Sequence, residues 1–372
     1  MDTATVPTTH PHFPRRIIVA REKRGLSQAD LSKHVGFKDR QTLGAIESGQ
    51  RNVTAEELVA IAEATGQELD FFTDPFRLVG EGDFSYRASG TQTKALDAFE
   101  EQAGRWLAFW RQLGECRGES PSLLRPRLAI NERSTFEDAQ AAGEAVGHRL
   151  QLGDVPAGKL VAALEKQFEL LVLEVDMPKG VSGAAVRLAT GDAILINRAE
   201  SPGRKAFDLA HELFHVLTWD TLPPGRVDRE NPTGYKQKRT EQLADNFAAA
   251  LLMPAAELKP RWEKLTAKSS VKEALEALAE HFRVTVAAVG WRVVALGWLK
   301  TSELPKLSAR IATGKPKAEV PPLFSHRFVA RSAWGIDQGE LSVQRLLGLL
   351  DLKLDEFREC CKAHGVKAEI GL

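Results

Sequence analysis

Cysteine is scarce in this sequence, which has 372 residues and only three cysteines, Cys116, Cys360 and Cys361. Their spacing fits neither the paired cysteines of a zinc motif nor a disulfide framework. Disulfide-rich domains belong to oxidising compartments, so this composition argues against a small secreted scaffold. We therefore expect reduced thiols and a cytoplasmic location.

Long apolar runs and an excess of one charge are also missing. No apolar stretch approaches the roughly 20 residues that a membrane-spanning helix needs, so we expect no membrane partner. Residues 1–14 lack the basic and apolar segments of a targeting signal and predict a flexible tail. The 50 lysines and arginines balance the 50 aspartates and glutamates, so any contact with nucleic acid must come from a local patch.

What the sequence does contain is a strong motif at His211–His215, which reads His-Glu-Leu-Phe-His within an apolar-periodic segment. Residues four apart lie on one face of a helix, so both imidazoles can bind one metal ion. Glu212 then faces the same cleft. A chance match is the alternative, but the helical context favours a zinc hydrolase site with one Zn²⁺ per chain.

A catalytic zinc ion needs a third protein ligand, because its tetrahedral shell keeps one position for water. Glu241 is the best candidate, since it lies near the start of a second helical pattern that ends at Pro254. Asp245 follows Glu241 by one turn. Its carboxylate can accept the free ring N–H of a ligand histidine, which we expect to be His211, and so orient the ring.

These segments resemble an ImmA/IrrE-type metallopeptidase over roughly residues 135–300. The resemblance is carried by Ile194–Asn197, Arg204, the His211–His215 helix and Glu241–Pro254. It implies a small zincin-like fold, zinc held by His211, His215 and Glu241, and Glu212 as general base. It also implies cleavage or derepression of a transcriptional repressor. Phe214 departs from the resemblance, because a smaller residue is expected there.

A second motif lies near the N-terminus, in Leu26-Ser27-Gln28, Leu31, Gly36 and Ile46–Gly49. Ser27 is a typical helix N-cap, and Gly36 predicts a turn before a second helix. These residues resemble an XRE/Cro-type helix-turn-helix domain, which implies a double-stranded DNA operator as partner. By that resemblance the recognition helix is Arg40–Glu47. The predicted DNA-contacting residues are Gln28, Lys38, Arg40, Gln41, Thr42 and Gly44, with Gln28 at a phosphate.

Local charge agrees with DNA binding. From Arg15 to Arg51 there are nine lysines and arginines against four acidic residues, whereas Asn52–Phe72 has five acidic residues and no lysine or arginine. A solvated charged face is the alternative, but asymmetry together with the motif favours DNA.

Three further segments have patterns without a decisive motif. Ala95–Leu113 has an apolar helical stripe that predicts either core or a dimer interface. Trp219–Lys238 is irregular and predicts a lid or a substrate-selecting loop over the metal site. Leu341–Leu354 predicts one amphipathic helix.

A small sheet flanked by helices is predicted from Leu170–Val175, Gly183–Leu188 and Ala193–Asn197. The strand ending at Asn197 is expected to be the edge strand beside the metal, where extended substrate can pair with it.

Together the patterns and resemblances predict a mainly α, multidomain protein. It has an N-terminal all-α helix-turn-helix bundle, an α+β zincin-like peptidase domain and a helical C-terminal region. The predicted boundaries are 1–14 for the tail, 15–75 for the DNA-binding domain, 76–130 for a helical connector with possible dimerisation, 131–300 for the metallopeptidase domain and 301–372 for the C-terminal region.

Two functions fit this organisation. In the first, the protein is a DNA-binding regulator whose zinc domain hydrolyses a peptide bond in a repressor or other regulatory protein. In the second, the peptidase-like domain is not catalytic and senses a ligand or partner. Homodimerisation is possible in either case, since helix-turn-helix domains of this type commonly bind in pairs.

Overall fold

The computed structural model describes residues 12–88, 93–119, 125–229, 235–304 and 320–367. The predicted flexible tail lies almost wholly outside these ranges. The chain forms two compact units, each built from non-contiguous segments. The first comprises residues 1–83, 100–120 and 335–354, and the second comprises residues 84–99, 121–334 and 355–372. The predicted mainly α, multidomain class is confirmed.

The first unit begins with five short helices that enclose a small apolar core. Ser27 and Thr54 each form a capping box, which satisfies free N–H groups at the starts of the second and fourth helices. The core residues include Ile17, Leu31, Leu43, Ile46 and Ile61. The helices are α1 (Phe13–Lys23), α2 (Gln28–Val35), α3 (Arg40–Glu47), α4 (Ala55–Thr65) and α5 (Leu69–Thr73).

A buried ion cluster ties α1 to later segments of this unit. Arg16 is 1% exposed, and its guanidinium donates to the carbonyl oxygens of Phe72 and Asp74 at 3.1 and 2.8 Å. The carboxylate of Glu81 contacts Arg16 and also Arg111. A buried charge needs partners of this kind, so the helix-turn-helix segment is fixed to residues beyond it.

The second unit contains a five-stranded mixed sheet of order β2-β4-β3-β1-β5. Strands β2 and β4 pair in parallel, and β3 and β4 pair antiparallel. The strands are β1 (Gly82–Ala88), β2 (Leu171–Val175), β3 (Val181–Leu188), β4 (Gly191–Asn197) and β5 (Val227–Arg229).

Two sheet features differ from the sequence predictions. The strand ending at Asn197 is not an edge strand, because β4 pairs with β2 on one side and β3 on the other. Its apolar run is buried between neighbours, as is usual for interior strands. Strand β1 was missed, although Phe84, Tyr86 and Ala88 alternate with more polar residues, which is the period of a half-buried strand.

The helices of the second unit pack on this sheet and on each other. Its main apolar core joins α-helical residues such as Leu213, Phe247, Leu251 and Leu278 to strand residues such as Ile194. The helices are α7 (Phe136–Arg149), α8 (Leu160–Gln167), α9 (Pro202–Thr218), α10 (Tyr235–Leu252), α11 (Ala255–Thr266), α12 (Val271–Phe282) and α13 (Val286–Ala295).

The remaining helices resolve two open points. Helix α6 (Thr93–Cys116) buries Leu96, Trp106 and Leu107, so the apolar stripe belongs to the core. The single helix expected over Leu341–Leu354 is wrong, because Asp351 has φ of 55° and ends a first helix. The last three helices are α14 (His326–Asp337), α15 (Val343–Leu350) and α16 (Leu354–Ala363). Among the helices that the structure describes, none combines the length and apolarity of a membrane span.

The packing of α7 against α10 makes a testable prediction at Gly143. A Cβ atom at this position would lie 2.4 Å from the carbonyl oxygen of Phe247 and 3.0 Å from the amide nitrogen of Leu251. Backbone cannot move away cheaply, so Gly143→Ala should lower the free energy of unfolding by about 1–3 kcal/mol. Chemical denaturation measures this, with exposed Ala141→Ser on the same helix as a control of near-zero effect. Equal stabilities would contradict the packing.

Candidate metal centre and nucleic-acid interface

Helix α9 presents the motif residues to the interior of the second unit. Pro202 at its first turn suits a helix start, because proline lacks only an N–H that would be unpaired there. The helix is buried continuously from Asp208 to Thr218. His211, Glu212 and His215 are each at most 1% exposed, so three polar side chains with ionisable groups lie in the buried part of the helix. Buried polar groups of this kind need partners.

The structure brings His211, His215 and Glu241 together. The Nε2 atom of His215 lies 3.1 Å from Nε2 of His211 and 3.5 Å from Oε1 of Glu241. The Nε2 atom of His211 lies 3.2 Å from Oε2 of Glu241. One ligand atom from each of these three side chains lies within 4.8 Å of the other two, which is close enough for all three to bind one metal ion.

These separations fit a tetrahedral metal ion. Bonds of about 2.0–2.1 Å at tetrahedral angles place neighbouring ligand atoms about 3.3 Å apart. The three observed distances, 3.1, 3.2 and 3.5 Å, bracket that value. Two imidazoles and one carboxylate are also the donor set of many catalytic zinc sites. The residues present can therefore hold a zinc ion and leave a fourth position open.

Asp245 supports the triad from the next turn of α10. Its Oδ1 lies 2.9 Å from Nδ1 of His211, the ring nitrogen that does not face Glu241. Burial and the Arg87 charge lower the pKa of His211, but the hydrogen bonds to Asp245 and Glu241 outweigh them and raise it to about 10. The carboxylates of Asp245 and Glu241 therefore favour positive charge at the His211 ring.

Removal of the Asp245 charge should leave the His211 imidazole less firmly oriented. We expect Asp245→Asn to weaken metal retention about tenfold or more, because an amide orients the imidazole and raises its basicity less than a carboxylate does. Competition with a chromogenic zinc chelator measures the affinity. The exposed Asp138, a helix-capping residue of α7, provides an Asp→Asn control on another helix. Unchanged zinc affinity in Asp245→Asn would refute the supporting role.

Glu212 lies beside the triad without belonging to its ligand set. It packs against Gly183 on β3, where a Cβ atom would lie 3.2 Å from Cγ and 3.4 Å from Oε1 of Glu212. Glycine at this position gives the carboxylate its room. Phe214, the departure from the family pattern, lies in the core, with its ring centroid 5.5 Å from that of Phe247. The larger side chain therefore fits beneath the site.

Sequence reasoning missed two charged residues near the centre, Arg87 and Asp208. Arg87 on β1 contacts Asp208 at 3.3 Å and Asp245 at 3.5 Å. Asp208 is one turn before His211 and 1% exposed, and burial raises its pKa against the opposing charges of Arg87 and Arg204. Arg204 also pairs with this carboxylate, its Nε lying 3.5 Å from Oδ2 of Asp208. The strand pattern of residues 82–88 was the signal that could have found Arg87.

The predicted lid is only partly described. Its residues 227–229 form β5, which pairs in parallel with β1. Residues 230–234 and the side chain of Tyr235 lie outside the described part of the chain.

The predicted recognition helix coincides with α3, which runs from Arg40 to Glu47. Asp39 caps it by accepting from the amide of Thr42 at 2.9 Å. Lys38 and Gln41 are exposed and Thr42 is half-buried, whereas the Arg40 side chain lies outside the described atoms. A Cβ atom at Gly44 would meet nothing within 4 Å, so this face of the helix is open.

The start of α2 is locked to the end of α3 through Glu47. Its carboxylate accepts from Nε of Arg21 at 2.6 Å and from the side-chain amide of Gln28 at 2.7 Å. The Glu47 side chain is only 4% exposed. These hydrogen bonds connect the two helices of the motif through side chains.

Two segments of the chain match known family models. Residues 17–72 match the family model of the helix-turn-helix, and residues 166–293 match that of the IrrE N-terminal-like domain, Peptidase_M78. No curated protein matches the chain.

Among solved structures the chain is similar to Bacillus thuringiensis PlcR, crystallised with the peptide PapR7 and DNA. The identity is 12%, with 95% of this chain and 92% of that chain covered and a TM-score of 0.16. A score this low supports no conclusion about the fold. The two family matches confirm both predicted resemblances: residues 17–72 are of the helix-turn-helix type, and residues 166–293 are of the ImmA/IrrE type.

Proposed function

We propose that this protein is a cytoplasmic transcriptional regulator with a zinc-dependent metallopeptidase domain. Residues 15–75 bind a double-stranded DNA operator, and residues 131–300 hydrolyse a peptide bond in a repressor or other regulatory protein. The observation that carries the proposal is the convergence of His211, His215 and Glu241 at tetrahedral spacing beside the buried Glu212.

The chemistry follows from what these side chains can do. His211, His215 and Glu241 would hold one Zn²⁺ per chain, which when bound polarises a carbonyl group and acidifies water. Glu212 accepts a proton from the attacking water and delivers it to the leaving amine. Its burial beside Gly183 fixes the carboxylate at the cleft and keeps bulk water from competing for it.

A second candidate is a sensor in which the same domain binds a ligand and sets the affinity for DNA. A cavity of about 740 Å³ beside the triad favours this function, because such volumes suit small organic ligands. The two candidates share the DNA-binding part and differ only in whether hydrolysis occurs.

DNA binding is supported by the exposed side chains at the start of α3. Gln41 and Lys38 are exposed, so Gln41 on the helix would read base edges and Lys38 before it would contact a phosphate. The basic residues of Arg15–Arg51 supply a salt-dependent attraction to DNA. Pairing of two copies on a palindromic operator would double the contacts, and we include a homodimer in the proposal.

We expect the full-length protein to enrich one sequence from random duplexes. Gln41→Ala and Thr42→Ala should relax the sequence choice, costing about 1–3 kcal/mol on the selected site only. Lys38→Ala should weaken binding to all duplexes alike and reduce the salt slope by about one. Fluorescence anisotropy on selected and scrambled duplexes at several salt concentrations measures these effects, with exposed Lys268→Ala in the second unit as control. Failure to enrich any sequence would refute the proposal that the protein is a sequence-specific transcriptional regulator.

A further inference from the structure

An open groove lies on the first unit, where α4 ends and α5 begins. Val59 of α4 and Leu69 of α5 line this α4–α5 groove, and each is 44% exposed. They are two of the four large apolar side chains that the described surface leaves exposed. Exposed apolar side chains that share one concave surface, rather than standing singly, are typical of an interaction site.

The rim of the α4–α5 groove is acidic. Glu63, Glu68 and Asp70 line it, and all three side chains are exposed. The segment Asn52–Phe72 contains no lysine or arginine, and none of the residues that the structure describes forms a salt bridge with these three carboxylates. An incoming molecule therefore meets three negative charges around an apolar surface.

The end of α4 adds to the negative potential of the groove. Gly66 lines the groove and caps the helix with φ of 67°, and the last turn of α4 has no basic residue. The C-terminal end of a helix carries a partial negative charge, so the acidic Glu63 in this turn is unfavourable and a nearby cation is favourable. A positively charged partner would reduce the repulsion that the free protein retains here.

Charge separates the occupants that such a groove could take. Duplex DNA is disfavoured, because its phosphates would meet the carboxylates. A second copy of this chain is also disfavoured, since a two-fold interface brings the same acidic patch of both copies together. A basic partner complements the rim, and large aliphatic side chains beside its charges would bury Val59 and Leu69.

We propose that the α4–α5 groove binds a basic, amphipathic segment of another protein. Aliphatic side chains of that segment pack on Val59 and Leu69, and its lysines or arginines pair with the three acidic residues of the rim. None of the predicted DNA-contacting residues lines the groove, so DNA and this partner use different side chains. The interaction needs neither zinc nor hydrolysis, and it stands whether or not the proposed peptidase activity does.

Titration calorimetry of the full-length protein tests the groove with a short alanine-based peptide. Leucine recurs every fourth residue in this peptide, and a lysine precedes each leucine. A second peptide carries glutamate in place of lysine, and a third carries serine in place of leucine. The lysine–leucine peptide should bind about tenfold or more tightly than either of the others, which corresponds to about 1.4 kcal/mol. Its affinity should fall as salt is added, because exposed charge pairs are screened.

Two variants separate the apolar and the charged contributions. Val59→Ser/Leu69→Ser should weaken the lysine–leucine peptide about tenfold or more. Glu63→Gln/Glu68→Gln/Asp70→Asn should remove its advantage over the glutamate peptide. All five side chains are exposed, so both variants should fold, and circular dichroism checks this.

A matched control removes the same net charge from the second unit and should bind the lysine–leucine peptide as the parent does. It changes three exposed glutamates to glutamine, Glu137, Glu280 and Glu359.

Three results would overturn the proposal. The first is equal binding of the lysine–leucine and glutamate peptides, and the second is an equal loss of affinity in the control and in the rim variant. The third is self-association of the parent in sedimentation that Val59→Ser/Leu69→Ser abolishes, which would assign the groove to a second copy of this chain.

Discussion

Glu212→Gln is expected to lower the rate of peptide hydrolysis about a hundredfold or more, the usual effect of deleting a general base. The change keeps the size and shape of the side chain in the space that Gly183 leaves for it. Because Glu212 is outside the His211, His215 and Glu241 group, zinc content should stay at the level of the unmodified protein. DNA affinity and thermal stability should also be unchanged.

The parent protein and the variant are each incubated with a digest of the denatured proteome and with candidate repressors. Mass spectrometry then measures the cleavage products. Glu137→Gln, an exposed glutamate in the first turn of α7, serves as a control for the amide itself. Hydrolysis by Glu212→Gln within tenfold of the parent would remove Glu212 from the mechanism. Regulation in cells that survives Glu212→Gln, with no cleavage product in either strain, would leave the sensor as the function.

The double variant His211→Ala/His215→Ala should lose nearly all bound zinc. We expect about one Zn²⁺ per chain in the parent and close to none in the variant, since two of three protein ligands are removed. Metal binding is itself a source of stability for the state that binds it, so the parent but not the variant should melt at lower temperature after chelation.

Elemental analysis of dialysed protein measures the zinc content per chain. Thermal melts with and without chelator test the same prediction independently. His148→Ala removes an exposed histidine of the same unit and should keep its zinc. Equal zinc in the parent and in a folded double variant would exclude the site. A double variant that unfolds outright is replaced by Glu241→Gln, which removes one charged ligand and should lower zinc occupancy.

Part of the site could be predicted because its residues lie within one turn of each other on the same helix. His211 and His215 are four apart, as are Glu241 and Asp245, and in each case the helical period places both side chains on one face. The cap at Ser27 and the extent of α3 are equally local, since they depend on residues within one or two turns. The break at Asp351 depends on local backbone too, but the apolar pattern continues across it and predicts a single helix.

What only the tertiary structure decided is the set of contacts between distant segments. The sequence determined that Glu212 and two imidazoles share a helix face, because side-chain direction in a helix follows from its period. It did not determine that Arg87 reaches Asp208 and Asp245, or that β4 lies inside the sheet. Strand order and such ion pairs depend on which segments meet across the fold, and a pattern repeated every two residues is the same for an edge strand and an interior one.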